Sequence, residues 1–467
     1  MVSRSRHTVA QQLATIIRWG LWFVFGCLLA FSAIIDGRVT SSQWQTMAEA
    51  FGVLALLSVP FAFKPKLPLF DRSAAVFLLI LMLMAVWALL PALFSTEHGF
   101  HELVFPIDER PAWFDPDLYW SITPTATVAV FMRDFMIVCA CFIVLTLCRS
   151  RRQLYALLGL MLGTAVVHSA LGLIAWVNNV HLVEIQQLDG HFSALRGLFV
   201  NRNHFASFVT LATLGGWVAV LYSNRQASEL SWLTRFSALF LSGRWLVVAV
   251  LAFVYFCVLM TQSRAGVLGL VIILMVVVIN LVSRNTHASG RWFKLAGAGF
   301  SVVVVSMMVV GFYGVEVAER FVSSGQLLGE RIPQWRVTFD AILQRPWLGY
   351  GAGSYATVFE YFRLGTPLRD VIFDQAHNDW LHLWLEQGLI GLLLWTFLMV
   401  WALRHAVQQL TSTRSRLHSA LLVAVLAVCG AALLQSWVDF NLQIVSIRLF
   451  FFVSLSLVFI DTSRLRS

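Results

Sequence analysis

The stretch Ala376-His-Asn-Asp-Trp-Leu-His-Leu-Trp-Leu-Glu-Gln-Gly-Leu-Ile-Gly-Leu-Leu393 joins a polar, titratable segment to a long apolar helix. Gly388 and Gly391 mark the junction between the two parts. Such a junction places the polar side chains at the rim of a bilayer rather than inside it. They are His377, Asn378, Asp379, His382 and Glu386. We therefore expect a reactive site at a membrane surface.

The composition predicts that most of the chain lies in a membrane. Hydrophobic residues make up 59% of the 467, charged residues only 12%, and the mean hydropathy is +0.77. Soluble domains are roughly half apolar and a quarter charged. Apolar stretches of about 20 residues recur, the length that a helix needs to cross about 30 Å of hydrocarbon. These features predict an all-α polytopic membrane protein with about twelve transmembrane helices.

The predicted spans are about 15–35, 46–63, 74–95, 124–147, 154–178, 203–223, 245–262, 265–283, 295–314, 387–403, 418–437 and 445–460. With the N-terminus inside, every cytoplasmic connection is basic, as the positive-inside rule requires. We therefore expect both termini to be cytoplasmic. The net charge of +9 is explained by this topology, so no nucleic-acid partner is predicted. The first apolar run is too long for a cleavable signal and should anchor the chain.

Two outer segments are longer than turns. The loop near 95–124 is acidic, aromatic and interrupted by prolines, so it should be irregular. Residues 315–386 are long enough to form one large helical periplasmic loop subdomain, with short helices predicted over 332–343 and 355–362. The organisation predicted is thus nine spans in residues 1–314, the loop subdomain, and three spans in residues 387–467. The six cysteines show no metal or disulfide spacing.

Arginines recur at outer boundaries where topology does not require them. Several hydrogen-bond donors lie at the entry of the sixth span, a favourable place for a phosphate. They are Arg196, Arg202, Asn203 and His204. The alternative is an ordinary helix start capped by Asn203. Arg264 follows a very short connection and sits at the hydrocarbon edge, where an unpaired guanidinium costs several kcal/mol. It meets either an anionic substrate or a lipid phosphate.

The large outer loop adds further candidates. Arg331 and Arg336 are donors for a glycan or pyrophosphate, although Arg336 can also pair with Asp340 four residues later. The turn Arg345-Pro-Trp-Leu-Gly-Tyr-Gly-Ala-Gly-Ser354 is glycine-rich but follows no strand, so it is not a dinucleotide site. His377, with a neighbouring carboxylate, suits proton transfer from a sugar hydroxyl. A zinc site and a simple polar helix start with interfacial histidines are the alternatives.

Four charged residues lie within or beside apolar spans. Arg133 and Asp134 are expected to form a neutralised structural pair, with a proton or substrate path as the alternative. Asp439 and Arg448 bracket the last outer turn and are expected to be structural.

The sequence resembles the O-antigen ligase superfamily, which includes O-antigen ligases and polymerases of O-antigen and exopolysaccharide. The resemblance covers about residues 196–393 and is carried, in the family's order, by Gly197-Leu-Phe-Val-Asn-Arg-Asn-His-Phe-Ala206, Ser263-Arg-Ala-Gly266, Arg331 with Trp335, Arg345-Pro-Trp-Leu-Gly-Tyr-Gly-Ala-Gly-Ser-Tyr355, His377-Asn-Asp-Trp-Leu381 and Glu386-Gln-Gly-Leu-Ile-Gly391.

The resemblance implies a metal-independent glycosyltransferase without a cofactor, in the bacterial inner membrane. Its donor is a glycan on undecaprenyl pyrophosphate at the periplasmic face, and its acceptor is a second glycan or lipid A core. Membrane lipids surround it. Arg264 matches the family's pyrophosphate-binding arginine well, Arg196 or Arg202 matches an earlier one, and His377 matches the loop histidine. Asp379 or Glu386 would orient His377.

The sequences at residues 121–127 and 200–205 resemble those of exopolysaccharide-type polymerases slightly more than those of ligases. A transporter or flippase is the main non-enzyme alternative, and it predicts ionisable residues along a path through the bilayer. Here they gather at the outer edge instead.

Overall fold

The computed structural model describes residues 2–35, 41–62, 72–94, 120–180, 182, 194–223, 244–283, 324–363 and 373–466. Over these ranges the chain is helical, and its one strand-like feature is an isolated bridge between Ser150 and Arg466. The predicted all-α class is therefore confirmed. The predicted span 295–314, most of the loop near 95–124 and the start of the 315–386 loop lie outside the described residues.

Fourteen α-helices form in the described ranges. They are α1 (Val2–Ile35), α2 (Ser41–Ala62), α3 (Arg72–Leu93), α4 (Pro124–Leu147), α5 (Arg151–Val177), α6 (Arg202–Ala212), α7 (Leu214–Ser223), α8 (Arg244–Met260), α9 (Arg264–Ser283), α10 (Ser324–Gln344), α11 (Tyr355–Phe362), α12 (Asp379–Ser412), α13 (Arg416–Gln435) and α14 (Val445–Ser456). Short 3₁₀ turns cover Asn441–Gln443 and Leu457–Phe459.

Eight segments of the described chain are long and apolar enough to cross a membrane. They are α1 to α5, the continuous pair α6 and α7, α12 and α13. Three shorter apolar helices cover Trp245–Met260, Arg264–Asn280 and Val445–Phe459. These eleven segments coincide with eleven predicted spans, and the count of twelve stays a prediction. The tenth predicted span begins at 387, whereas α12 begins eight residues earlier and carries the polar segment as its first two turns.

The helices pack around two apolar cores. In the larger core α4 lies against α2 and α3, α13 lies against α7 and α9, and α14 lies against α4 and α6. The smaller core joins α10, α11 and the start of α12 through residues such as Ala341, Tyr350, Tyr355 and Phe359. Both helices predicted in the large outer loop are present, and α10 starts earlier than expected.

The glycine-rich turn binds the start of α12 through backbone contact. Gly388, with φ +66°, interrupts α12 at a kink, and a Cβ there would lie 2.1 Å from the carbonyl oxygen of Trp347. A Cβ on Gly349 would lie 2.5 Å from the carbonyl oxygen of Glu386. Only glycine tolerates such proximity together with a positive φ. The turn is thereby fixed against α12, which fixes the loop subdomain on the membrane bundle.

Helix α10 holds the segment that precedes α12. The side-chain amide of Gln334 donates to the carbonyl of Gln375 at 2.6 Å, and the indole of Trp335 donates to the carbonyl of Ala376 at 2.9 Å. Both contacts anchor the backbone immediately before His377.

Candidate functional site

The candidate site is built around Asp439, a fully buried carboxylate. It lies in the turn of residues 436–440 that joins α13 to the 3₁₀ segment before α14, hereafter the α13–α14 turn. The side-chain amide of Asn203 donates to its Oδ2 at 2.7 Å, and the backbone amide of Phe440 donates to its Oδ1 at 3.0 Å. The same Oδ1 lies 3.4 Å from Nδ1 of His377.

These contacts decide the charge of Asp439. Burial by itself would raise the pKa of this carboxyl. The hydrogen bond with His377, the charges of His204 and His377 and the Phe440 amide outweigh burial, so the pKa lies below its ordinary value. Asp439 is therefore an anion at neutral pH.

His377 is held in an unusual backbone conformation. Its φ is +49°, in the left-handed region that non-glycine residues seldom adopt. Asn378 follows as the N-cap of α12, with its Oδ1 accepting from the amides of Trp380 and Leu381. The His377 side chain is 29% exposed. Since Nδ1 faces Asp439, Nε2 is the nitrogen available to an incoming group. Strained conformations of this kind cluster at functional sites.

A second histidine faces the same carboxylate. His204 is buried, with Nε2 at 3.9 Å from Oδ1 of Asp439. The ring of Phe440 makes a T-shaped contact with each imidazole, with its centroid 4.5 Å from that of His204 and 4.9 Å from that of His377. His204 thus forms the inner wall of the site rather than an exposed phosphate donor.

The N-cap of α6 lies two residues before the position considered from the sequence, Asn203. Asn201 is the N-cap, and its Oδ1 accepts the backbone amide of Asn203 at 2.8 Å. The side chain of Asn203 is therefore released to bind Asp439. Arg202 is the first residue of α6 and lies next to Asn203 in the chain.

Arg331 contacts the α13–α14 turn directly. Its Nη1 donates to the carbonyl of Val438 at 2.6 Å. A guanidinium has five N–H donors in a fixed fork, so this bond leaves others to bind an anion. Arg336 lies five residues further along α10 and is exposed. The ion pairs found in the described residues do not include one between Arg336 and Asp340.

Arg264 begins α9 at the same end of the bundle. Oγ of Ser263 accepts the amide of Gly266 at 3.1 Å and caps the helix. The side-chain amide of Gln435, at the end of α13, donates to the carbonyl of Ala265 at 2.9 Å. Gln435 thereby links the residue after Arg264 to the α13–α14 turn. The binding of pyrophosphate by Arg264 stays a prediction.

Arg196 lies in the segment before α6. The amide of Leu195 donates to the carbonyl of Met260, so this segment packs on the end of α8. Nη1 of Arg196 lies 3.5 Å from the carbonyl of Val200. Burial lowers the pKa of Arg196.

The structure corrects the orientation proposed for His377. Oδ2 of Asp379 accepts the amide of Leu442 at 3.0 Å, and Oε1 of Glu386 lies 3.1 Å from Nε2 of His382. Both carboxylates are buried. They share one face of α12, and that face packs into the protein instead of toward the histidine. The prediction that Asp379 or Glu386 orients His377 is therefore wrong, and the carboxylate in contact with it is Asp439.

The deep charges also pair differently from the prediction. The main partner of Asp134 is Arg448, at 3.0 Å, whereas Nε of Arg133 lies 3.9 Å away. Arg133 instead donates to the carbonyl of Gln443 at 3.2 Å. These arginines line, together with Asp379, a cavity of about 20 Å³, room for about one water molecule. Asp134 is thus neutralised, by a residue distant in sequence.

Sequence reasoning missed Asp439 as a site residue. A usable signal was present, because a carboxylate in a short turn between two apolar helices costs free energy unless it has partners. Among the described residues, no group of three or more His, Cys, Asp or Glu side chains is arranged to hold a metal ion.

A family model described as O-antigen ligase matches residues 247–396, about a third of the chain. Over these residues the chain is similar to O-antigen ligases. This match confirms the resemblance and supports glycosyltransferase activity of the O-antigen ligase and polymerase type, with a lipid-linked glycan and an acceptor as partners. No curated protein matches the chain. The matched segment includes Arg264, Arg331 and His377, whereas Asn203 and Asp439 lie outside it.

Proposed function

We propose that the protein transfers a glycan from undecaprenyl pyrophosphate to a sugar hydroxyl at the periplasmic face of the bacterial inner membrane, and so extends a polysaccharide. The observation that carries the proposal is the contact between His377 and Asp439. It presents a partly exposed imidazole, backed by a buried anion, in a chain whose family supplies the reaction class.

In the proposed step, Nε2 of His377 accepts the proton of the acceptor hydroxyl. The oxygen forms a bond to the anomeric carbon of the donor while the bond from that carbon to the pyrophosphate oxygen breaks. The electron pair leaves with undecaprenyl pyrophosphate, and direct displacement inverts the anomeric carbon. The Asp439 anion fixes the proton on Nδ1 and stabilises the imidazolium that forms, as the carboxylate of a catalytic triad does.

Arginines supply the positive charge that the leaving group needs. Guanidinium groups are always charged and bind phosphate oxygens in a bidentate manner. Arg331, Arg202 and Arg264 lie on elements that meet at the α13–α14 turn. Donors fixed in this way stabilise charge as it develops. The proposed chemistry therefore uses neither a metal ion nor a cofactor.

The test is to incubate the purified protein with lipid-linked repeat units and to follow chain length by gel electrophoresis. His377→Ala should lower the rate by about 10²-fold or more, the usual contribution of a general base. His405→Ala is the matched control, because it lies in α12 at the far end from the site. Undiminished transfer by His377→Ala would remove the proposed base.

An O-antigen ligase is the second candidate, favoured by the description of the matching family model. Adding lipid A core to the same assay separates the two. Transfer of one glycan to the core without lengthening would indicate a ligase, and lengthening without the core would indicate a polymerase. If neither product forms while glycan lipid crosses a vesicle membrane, the protein is a transporter.

A further inference from the structure

A second cavity lies at the opposite end of α13 from Asp439. It has a volume of about 550 Å³ and lies between α5, α7 and α13, in the usual range of about 300–1,000 Å³ for small-molecule sites. Its polar lining consists of Tyr155, Tyr222 and Arg416. The rest of the lining is apolar or glycine, including Gly159 and Gly215.

The cavity and the candidate site are separated by the length of one membrane helix. The cavity lies at the start of α13, and the α13–α14 turn follows its end, 20 residues later. At 1.5 Å per residue this distance is about 30 Å, the thickness of the hydrocarbon core. Exposed basic residues surround the cavity's end of the bundle: Arg151, Arg152, Arg414 and Arg416. By the positive-inside rule this is the cytoplasmic side.

We propose that the cavity binds an anionic phospholipid of the cytoplasmic leaflet. Its acyl chain fits the apolar lining, and its phosphate pairs with the guanidinium of Arg416. Tyr155 and Tyr222 are 45% and 44% exposed, and tyrosine prefers the level of the headgroups, where its hydroxyl group can donate to phosphate oxygens.

The charge around the cavity and its position in the bilayer decide which lipid it binds. Several arginines at one end attract a lipid of net negative charge over a zwitterionic one. The pyrophosphate of a glycan donor belongs to the other side of the bilayer, about 30 Å away. The lipid is thus bound apart from the proposed reaction. The charge argument does not depend on the proposed function, whereas the exclusion of the glycan donor rests on it.

The glycines give a precise way to close the cavity. A Cβ on Gly159 would have no atom within 4 Å, so Gly159→Leu extends into open space. Gly163 lies one turn further along α5 and is equally open, but it is absent from the cavity lining. Gly163→Leu is therefore the matched control. For charge, Arg416→Gln is matched by Arg414→Gln, which also removes an exposed arginine but one that does not line the cavity.

The experiment reconstitutes the full chain in nanodiscs containing equal amounts of phosphatidylglycerol and phosphatidylcholine. Lipids that remain bound after detergent extraction are counted by native mass spectrometry. The wild-type protein should retain phosphatidylglycerol in preference. Arg416→Gln should lower that retention about fivefold, the usual contribution of one arginine beside anionic lipid, and Gly159→Leu should abolish it. Both control variants should retain it.

Equal retention of the two lipids by the wild-type protein would overturn the proposal. Unchanged retention in both Arg416→Gln and Gly159→Leu would do the same, because the lipid would then bind elsewhere. A retained polyprenyl phosphate that Gly159→Leu removes would assign the cavity to the donor tail. If Gly159→Leu does not fold, the comparison of phosphatidylglycerol retained by Arg416→Gln and by Arg414→Gln decides alone.

Discussion

Replacing Asp439 by Asn removes one negative charge beside His377 and changes the shape of the side chain very little. The two groups lie 3.4 Å apart. Coulomb's law for unit charges at that distance gives about 5 kcal/mol at an effective dielectric constant of about 20, and about 1 kcal/mol in bulk water. His377 is 29% exposed, so the loss should lie between these limits. At about 1.4 kcal/mol per factor of ten, Asp439→Asn should slow transfer by roughly 10²-fold.

The substitution also affects proton placement. An amide can donate to Nδ1 of the imidazole, which would put the ring proton on Nε2 and remove the base. Since the pKa of Asp439 is depressed, its contribution to stability is present above the ordinary value of about 4 and is lost only as pH falls through the lower folded value.

Single-turnover transfer of labelled lipid-linked glycan, followed between about pH 5 and 9, measures the loss of rate at each pH. Asp461→Asn is the matched control: Asp461 lies beyond α14 at the far end of that helix and pairs with Arg464. A double variant distinguishes the positioning of His377 by Asp439 from a general effect of Asp439 on folding. In the His377→Ala background, Asp439→Asn should cost almost nothing further, because residues that act as a unit are not additive. A rate within twofold of wild type, or an equal cost in both backgrounds, would refute the role of Asp439.

Three further outcomes follow from the structure. Arg264→Gln should raise the KM for the donor about 10-fold or more, with partial recovery in Arg264→Lys, and an unchanged KM would exclude pyrophosphate binding there. Arg331→Gln should lower the rate and also lower the free energy of unfolding by about 1 kcal/mol, measured by thermal denaturation, because it loses its bond to the α13–α14 turn. Gly388→Ala should destabilise the protein by several kcal/mol in the same assay, since its φ is positive and backbone blocks the Cβ. Gly430→Ala, in a helix with open space, should be neutral or slightly stabilising.

Local sequence features predicted the helical elements well because they depend on short-range physics. Apolar length predicted the eight long apolar segments and the three shorter apolar helices, and the amphipathic pattern of residues 332–343 predicted most of α10. The start of α12 was placed eight residues late, because hydropathy registers the apolar part of a helix and not its polar first turns. Capping geometry marks that start better, as Asn378 shows.

The partners of charged side chains were predicted poorly because they are distant in sequence. Asp379 and Glu386 are near His377 along the chain, yet the helical period turns them toward the core. Asp439 is 62 residues away and makes the contact. The same holds for Asp134, whose partner Arg448 lies on another helix. Spacing within one helix predicts which side chains share a face, and only tertiary packing decides what that face meets.

The α13–α14 turn explains why the site needs the whole bundle. The turn receives the Asn203 side chain from α6, the Arg331 guanidinium from α10 and the backbone amide of Asp379, which donates to Ser436. The Asn203 contact reaches the carboxylate of Asp439 itself, and the other two hold the backbone of the turn in the residues that precede it. The family match ends before this turn. Under the proposed function, the matched segment therefore supplies the base and two of the arginines, Arg264 and Arg331, while elements outside it supply Arg202 and the Asp439 anion.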